Sequence, residues 1–67
     1  MSEEIDKTFV RCFSTKDGQA VLEYLRNTTI EQPTWWPGDD PSHGFHREGQ
    51  NSLVRDIEKR IKRGRTL

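Results

Sequence analysis

Three prolines spaced four residues apart divide the chain into two helix-forming segments. Proline lacks a backbone N–H donor and its ring clashes with the preceding helical turn, so a regular helix cannot continue through Pro33, Pro37 and Pro41. The same segment contains Gly38 and two adjacent tryptophans. We therefore predict an irregular loop, rich in Trp, Pro and Gly, over residues 28–46.

The segment before this loop has the pattern of two short helices. Its apolar residues recur at helical spacing in two stripes, the first formed by Ile5, Phe9, Cys12 and Phe13 and the second by Val21, Leu22 and Leu25. Ser14 and Thr15 interrupt the pattern, and either hydroxyl can cap the second helix by accepting hydrogen bonds from its first N–H groups. The two stripes converge near Phe13, so we predict a helical hairpin over residues 3–27.

A longer third helix is predicted over residues 47–63. One apolar line along it, repeating every four residues, is formed by Leu53, Ile57 and Ile61, with Val54 and Gln50 beside it. Cations crowd its last turn, and Gly64 is predicted to end it, which leaves residues 64–67 as a tail. Together these helices predict an all-α fold in a single small domain.

A chain of this size needs support from outside its own core. Below about 70–80 residues a single core rarely supplies more than ~3–5 kcal/mol of stability, and this chain has 67 residues. Cys12 is the only cysteine, so an internal disulfide is excluded, and no Cys/His spacing fits a zinc site. No apolar run is long enough for a membrane span, so we expect no membrane partner. We expect the chain to work in multiple copies or inside a larger assembly.

Charge is divided unevenly along the chain, although the formal net charge is zero. Residues 1–48 carry five Lys or Arg against nine Asp or Glu, whereas residues 49–67 carry six against two. The dense basic end comprises Lys59, Arg60, Lys62, Arg63 and Arg65. Such an end favours contact with an acidic protein surface. DNA is the alternative partner, because phosphate contacts need little more than clustered cations.

Residue types that catalysis uses are present, but not in a catalytic pattern. Cys12 with His43 or His46 could form a nucleophile and a base, yet Cys12 lies on an apolar stripe, where a buried structural cysteine is the favoured interpretation. The histidines with Asp39 or Asp40 could ligate a metal, but their spacing matches no recognised site, and plain loop polarity is favoured. We predict no enzyme activity, no catalytic residue, no metal and no cofactor.

The adjacent tryptophans of the loop have two interpretations. They can cover the small core of the chain, or they can anchor it to a partner, as tryptophan does at interface hot spots. Neighbouring residues of an extended segment point in opposite directions, so one ring can face the chain and the other face outward. We predict partner anchors at Trp35, Trp36 and Phe45, with Arg47 and Glu48 beside them. An ordinary solvent-exposed ion pair is the alternative interpretation of the last two.

Two glycines within the predicted helices require an explanation, because glycine there costs about 1 kcal/mol relative to alanine. Small residues let two backbones approach closely. We predict that Gly18 and Gly49 mark the point at which the first two helices cross the third. For Gly18, an exposed position in a frayed first turn is the alternative.

Two motifs follow one another along the chain, Phe13-Ser-Thr-x-x-Gly18-x-x-Val21-Leu22-x-x-Leu25 and, after an aromatic linker, Arg47-Glu48-Gly49-Gln50-x-x-Leu53. The ordered pair resembles a family of small tailed-bacteriophage proteins of the Bordetella-phage type, encoded among head and DNA-packaging genes. The resemblance covers roughly residues 9–57. It implies a phage context and a role in the virion or its assembly, and it implies no catalytic activity.

These observations predict a non-enzymatic virion or assembly protein that binds larger phage structural proteins, such as the portal, an adaptor or the capsid, at the head or the portal–tail junction. One alternative is a packaging accessory that contacts DNA through residues 59–65. Another is a small inhibitor of a host enzyme. The predicted location is the virion, assembled in the cytoplasm of the bacterial host.

Overall fold

A computed structural model describes residues 2–66 of the chain. It contains three helices, α1 (Ser2–Phe13), α2 (Lys16–Thr28) and α3 (Pro41–Arg65). α1 packs mainly against α3, with smaller contacts from each of these helices to α2. The predicted all-α fold, with two shorter N-terminal helices and a longer C-terminal one, is confirmed. Leu67, the last residue of the predicted tail, lies outside the described residues.

Thr15, rather than Ser14, caps α2. The Thr15 side-chain oxygen accepts a hydrogen bond from the Gly18 N–H at 2.9 Å. The Ser14 hydroxyl instead donates to the carbonyl of Val10 in the last turn of α1. A Cβ at Gly18 would collide with the carbonyl of Cys12, so this glycine lets α1 and α2 be joined by a two-residue turn. Gly18 therefore lies at a close approach, but the approach is to the end of α1.

α3 begins earlier than predicted, at Pro41 instead of residue 47. Asp40 caps it, because the carboxylate accepts a hydrogen bond from the Ser42 N–H at 2.9 Å, and this bond lowers the pKa of Asp40. Pro41 occupies the first helical position, where its missing N–H has no intrahelical partner to lose. The third proline therefore starts a helix, and the irregular segment ends at Asp40.

The glycine at the crossing of α1 and α3 is Gly64, not Gly49. A Cβ at Gly64 would lie 2.5 Å from the carbonyl oxygen of Asp6 and 2.5 Å from a methyl group of Val10, so α1 rests on the α3 backbone there. A Cβ at Gly49 would meet nothing within 4 Å, which contradicts the crossing predicted at that residue. The predicted helix end at Gly64 is also wrong, since α3 continues to Arg65.

The inward side of α3 follows a different line from the one predicted. Alternating spacings of four and three residues connect one line of its buried and half-buried positions, which passes through Arg47, Asn51, Val54, Glu58 and Ile61, while the half-buried Ile57 of the predicted line lies beside it. Of the predicted apolar line, only Ile61 is buried, and Leu53 is 64% exposed. A strict four-residue repeat drifts around a helix with 3.6 residues per turn, and this drift carries Leu53 away from the packed side.

The hydrophobic core is very small. Among residues 2–66, the buried hydrophobic side chains are those of Val54 and Ile61. Cys12, predicted to be a buried structural cysteine, is exposed. The reason is that α1 turns Asp6 and Val10, rather than the side of the helix that carries Cys12, toward α3.

The molecule is flat and elongated, with principal extents of 45 × 25 × 13 Å. Its radius of gyration of 14.2 Å exceeds the value of about 11 Å expected for a compact domain of this length. Its accessible surface of 5231 Å² exceeds the area of about 4,400 Å² expected for a compact monomer of this mass. The chain therefore exposes about 800 Å² more surface than a compact fold would.

Two glycine substitutions in α3 should shift stability in opposite directions. Gly49→Ala adds a methyl group in open space and improves helix propensity, so it should raise the free energy of unfolding by about 0.5–1 kcal/mol. Gly64→Ala gains the same propensity but forces α1 off the α3 backbone, and should lower the free energy of unfolding by about 1–3 kcal/mol. Urea unfolding followed by circular dichroism measures both. Equal effects of the two substitutions would contradict the crossing at Gly64.

Candidate partner-docking surface

Trp35 and Phe45 form an aromatic pair at the start of α3, which we call the aromatic patch. Their ring centroids lie 5.2 Å apart with an interplanar angle of 88°, an edge-to-face arrangement. The Trp35 ring also lies over Gly44, where a Cβ would collide with the six-membered ring. Trp35 is nevertheless 53% exposed and Phe45 is 68% exposed. The patch therefore combines fixed ring positions with accessible apolar area.

Two polar contacts hold the loop against α3 and fix the position of Trp35. Arg47 Nη1 donates to the carbonyl oxygen of Pro33 at 3.1 Å. One turn further along α3, the buried Asn51 donates from Nδ2 to the Thr34 hydroxyl at 3.4 Å, while its Oδ1 is buried without a protein hydrogen-bond partner. Arg47, predicted to contact a partner, thus positions the loop.

The remaining predicted anchors, Trp36 and Glu48, are not part of the aromatic patch. Trp36 is 51% exposed, nearly the same as Trp35, so the predicted difference in ring direction produces no difference in exposure. The Trp36 carbonyl accepts a hydrogen bond from the Asp39 N–H at 3.2 Å, which closes a turn that includes Gly38 with φ of 86°. Glu48 does not pair with Arg47; its nearest cation is Arg55, at 4.0 Å.

At the opposite end of α3, two of the predicted basic contact residues bind within the chain. Asp6 is 3% exposed, and its carboxylate lies 3.2 Å from Arg60 Nη1 and 3.4 Å from Arg63 Nε. The Arg60 guanidinium also lies over the Phe9 ring, 5.9 Å from its centroid, at a distance typical of cation–π contacts. These two arginines therefore join α3 to α1.

The other cations of the basic end remain exposed: Lys59, Lys62 and Arg65. Two of them rim an open groove between α2 and α3, which we call the basic groove and which is lined by Leu22, Glu58, Ile61, Lys62, Arg65 and Thr66. Arg26 Nη1 donates to both Glu58 carboxylate oxygens, at 2.9 and 2.7 Å, and this contact raises the pKa of Arg26. Because Arg26 pairs with the Glu58 carboxylate, the exposed charge on the rim is positive, above an apolar floor.

Several residues that organise these surfaces were not singled out from the sequence. Asp6 lies next to the apolar stripe of α1, within the first two turns. Acidic residues are common and solvent-exposed at that position of a helix, so the sequence gives no sign that Asp6 is buried. Asn51 and Glu58 lie on the line of α3 with alternating spacings of four and three residues. This spacing can be recognised in the sequence only if polar residues are counted as candidates for buried positions. The contact of Arg26 with Glu58 joins positions 32 residues apart, and no local pattern indicates it.

The structure adds two observations on chemistry and membranes. Among the described residues, no three His, Cys, Asp or Glu side chains lie close enough together to hold a metal ion. His43 and His46 are exposed and line an open cleft with Ser42 and Arg47. The absence of enzyme activity stays a prediction.

Within residues 2–66, no helix has both the length and the apolarity needed to cross a membrane.

A family model described as Bbp19-like phage protein matches residues 9–65 of the chain. The match includes both sequence motifs, the aromatic patch and the basic groove except for Thr66. The predicted membership in a family of small phage proteins is thereby confirmed at the level of the family. The comparisons with curated proteins and with solved structures give no match.

Replacing Gly44 should release Trp35. In a Trp36→Phe background, in which Trp35 is the only tryptophan, Gly44→Ala should shift the fluorescence emission to longer wavelength, because the added Cβ displaces the ring into water. Gly49→Ala in the same background is the matched control and should leave the emission unchanged. An unchanged spectrum in both variants would contradict the seating of Trp35 on Gly44.

Asp6 and Asp56 both contact Arg60, and they should differ in their contribution to stability. Asp6→Asn removes a buried charge from two arginines and should lower the free energy of unfolding by about 1–3 kcal/mol. Asp56 is half exposed, with its carboxylate 3.3 Å from Arg60 Nε, so Asp56→Asn should change it by less than about 0.5 kcal/mol. Urea unfolding of the two variants compares them. Equal losses would contradict the central role of Asp6.

Proposed function

The chain belongs to the Bbp19-like phage protein family, and we propose that it is a non-enzymatic virion or assembly protein that docks onto a larger protein of the phage head or portal–tail junction. The observation that carries the proposal is the aromatic patch. Trp35 and Phe45 are held by the chain, yet each leaves more than half of its surface exposed. Large exposed rings in fixed positions are typical of interaction sites.

The support of Trp35 favours binding over simple exposure. Binding a partner normally costs conformational entropy, since contact side chains and loops must be ordered. Here Gly44 and Phe45 fix the ring. Arg47 binds the Pro33 carbonyl and Asn51 binds the Thr34 hydroxyl, so the two residues before Trp35 are held against α3. Most of that ordering is complete before a partner arrives. A ring of this kind can therefore contribute a large share of the binding free energy.

The basic groove supplies a second contact with the same partner. Its floor is formed by Leu22 and Ile61, and its exposed rim carries Lys62 and Arg65. This combination suits a segment that presents an apolar side chain flanked by carboxylates. A partner that fits both surfaces is a large protein with an apolar pocket for the aromatic patch and an acidic segment nearby.

DNA contact, the alternative use of the basic end, has weaker support. Arg60 and Arg63 are bound to Asp6, so fewer cations are free to neutralise phosphates than the sequence suggests. A DNA-binding role predicts an affinity that falls steeply with salt concentration, in proportion to the number of phosphates contacted. The other alternative, inhibition of a host enzyme, predicts that the chain captures one host protein and shows no salt-dependent affinity for DNA.

Quantitative mass spectrometry of purified particles and assembly intermediates tests the proposal. We expect the protein at a fixed copy number per particle or intermediate. Trp35→Ala, supplied in place of the natural chain, should be incorporated about 30-fold less efficiently, as for loss of a hot spot worth about 2 kcal/mol. Tyr24→Ala is the matched control, because Tyr24 is 66% exposed on α2, outside the aromatic patch.

Absence of the protein from both particles and intermediates would overturn the structural role, and salt-dependent DNA binding or host capture would then replace it. Normal incorporation of Trp35→Ala would overturn the aromatic patch as the docking surface. Circular dichroism of that variant separates a lost contact from a lost fold, since the helices should persist when only the ring is removed.

A further inference from the structure

α1 presents an apolar side that the rest of the described chain covers only along one edge, where Phe9 and Phe13 are half-buried and the Arg60 guanidinium lies over the Phe9 ring. The helix faces α3 with Asp6 and Val10, and its opposite side leaves Ile5 43% exposed and Cys12 exposed. An open groove with apolar walls lies along this side, lined by Thr8, Phe9, Cys12 and Phe13. We call Ile5 together with these four residues the α1 face. Its apolar residues lie at helical spacings of three and four, the pattern of a helix that packs against another helix.

Charges along one flank of the α1 face are arranged for a particular partner helix. Glu4 and Arg11 are exposed, seven residues apart and therefore on nearly the same side of α1. The Arg11 guanidinium leans toward Thr8, to which Nη2 donates at 3.0 Å, so it borders the groove. In an antiparallel pair of identical helices, equivalent flanks meet, and Glu4 of one copy faces Arg11 of the other. The same contact is then formed twice about a two-fold axis.

A parallel pair lacks this complementarity. Parallel helices bring one flank of a helix against the opposite flank of its partner. The opposite flank of the α1 face carries Phe9 and Phe13, and Arg60 of α3 already lies over the Phe9 ring there. The arrangement of charges and of α3 therefore favours an antiparallel pair.

The chain as a whole exposes enough surface to accommodate such a pair. A standard protein interface buries about 800 Å² on each partner. The chain exposes about 800 Å² more surface than a compact monomer of its mass. We propose that a second copy of this chain packs on the α1 face through a two-fold axis, with the two α1 helices antiparallel.

The dimer and the proposed docking function use different parts of the molecule. α1 crosses α3 at Gly64, whereas the aromatic patch includes Phe45, roughly 28 Å away along the helix at 1.5 Å per residue. Pairing through α1 therefore leaves the aromatic patch of each copy free. The inference does not rest on the proposed function, and it is tested on purified protein without any phage component.

Disulfide trapping tests the pairing and its direction. In the antiparallel dimer, residue 5 of one copy lies opposite Cys12 of the other, so Ile5→Cys should form a covalent dimer on mild oxidation. Seven residues of helix separate the two positions by roughly 10.5 Å, beyond the Cα separation that a disulfide spans, so the two thiols cannot bond within one chain. The readout is non-reducing gel electrophoresis together with intact mass.

Three controls make every outcome decisive. The natural chain, with Cys12 alone, and the Ile5→Cys, Cys12→Ser double variant should both stay monomeric on the gel, because like positions are far apart in an antiparallel pair. Val21→Cys, on the exposed side of α2 and with Cys12 retained, should also form no covalent dimer. Trapping of the natural chain through Cys12 would overturn the antiparallel arrangement. Failure of Ile5→Cys to trap would overturn the dimer.

A charge exchange gives an independent test. Glu4→Arg places two arginines opposite each other at both ends of the interface and should raise the dimer dissociation constant about tenfold in sedimentation equilibrium. Adding Arg11→Glu should restore the natural value, because each introduced arginine would then face an introduced glutamate of the second copy. Restoration cannot come from helix propensity, since the first substitution is still present. A double variant as weak as the single one, or a natural chain that remains monomeric, would overturn the proposal.

Discussion

The contact between the two ends of the chain depends on one carboxylate. Asp6 is buried between Arg60 and Arg63, at the place where α1 rests on the backbone of α3 at Gly64. With a hydrophobic core of two buried side chains in the described residues, apolar burial alone gives little stability to this packing. A buried charge is tolerated only when it is paired and hydrogen-bonded, so the carboxylate requires both arginines to remain in place. The position of α1, and with it everything on its outer side, follows from this contact.

The fold class could be read from the sequence because it depends on local rules. Helical spacing of apolar residues and helix-breaking loop residues act over a few positions, and they predicted three helices correctly. Pro41 shows where such rules fail: the same residue ends one helix or starts another, and the difference depends on whether Asp40 reaches the N–H of Ser42. The sequence predicts a crossing at Gly49 and a helix end at Gly64, whereas α1 crosses α3 at Gly64. Only the path of α1 distinguishes them.

The candidate site was predictable in part for the same reason. Adjacent tryptophans in a short chain predict either a cover for the core or an interaction surface, whatever the fold, and in the structure Trp35 and Phe45 meet at α3 as an exposed pair. The sequence predicts Arg60 and Arg63 to be contact residues, because a run of cations does not reveal its internal partners. Their partner, Asp6, lies more than fifty residues away in the chain. Long-range polar contacts of this kind have no signature in local spacing, and they decide which charges are left for other molecules.

The thin core has a further consequence for the lifetime of the chain in the cell. A fold with few buried apolar contacts opens locally at little free-energy cost, and peptide bonds in its opened segments become accessible to proteases. Binding to a partner suppresses opening by mass action, since the partner binds the closed form. Under the proposed docking, bound copies would be protected from proteases and surplus copies would remain exposed to them. The amount retained would then follow the number of docking sites and not the rate of synthesis.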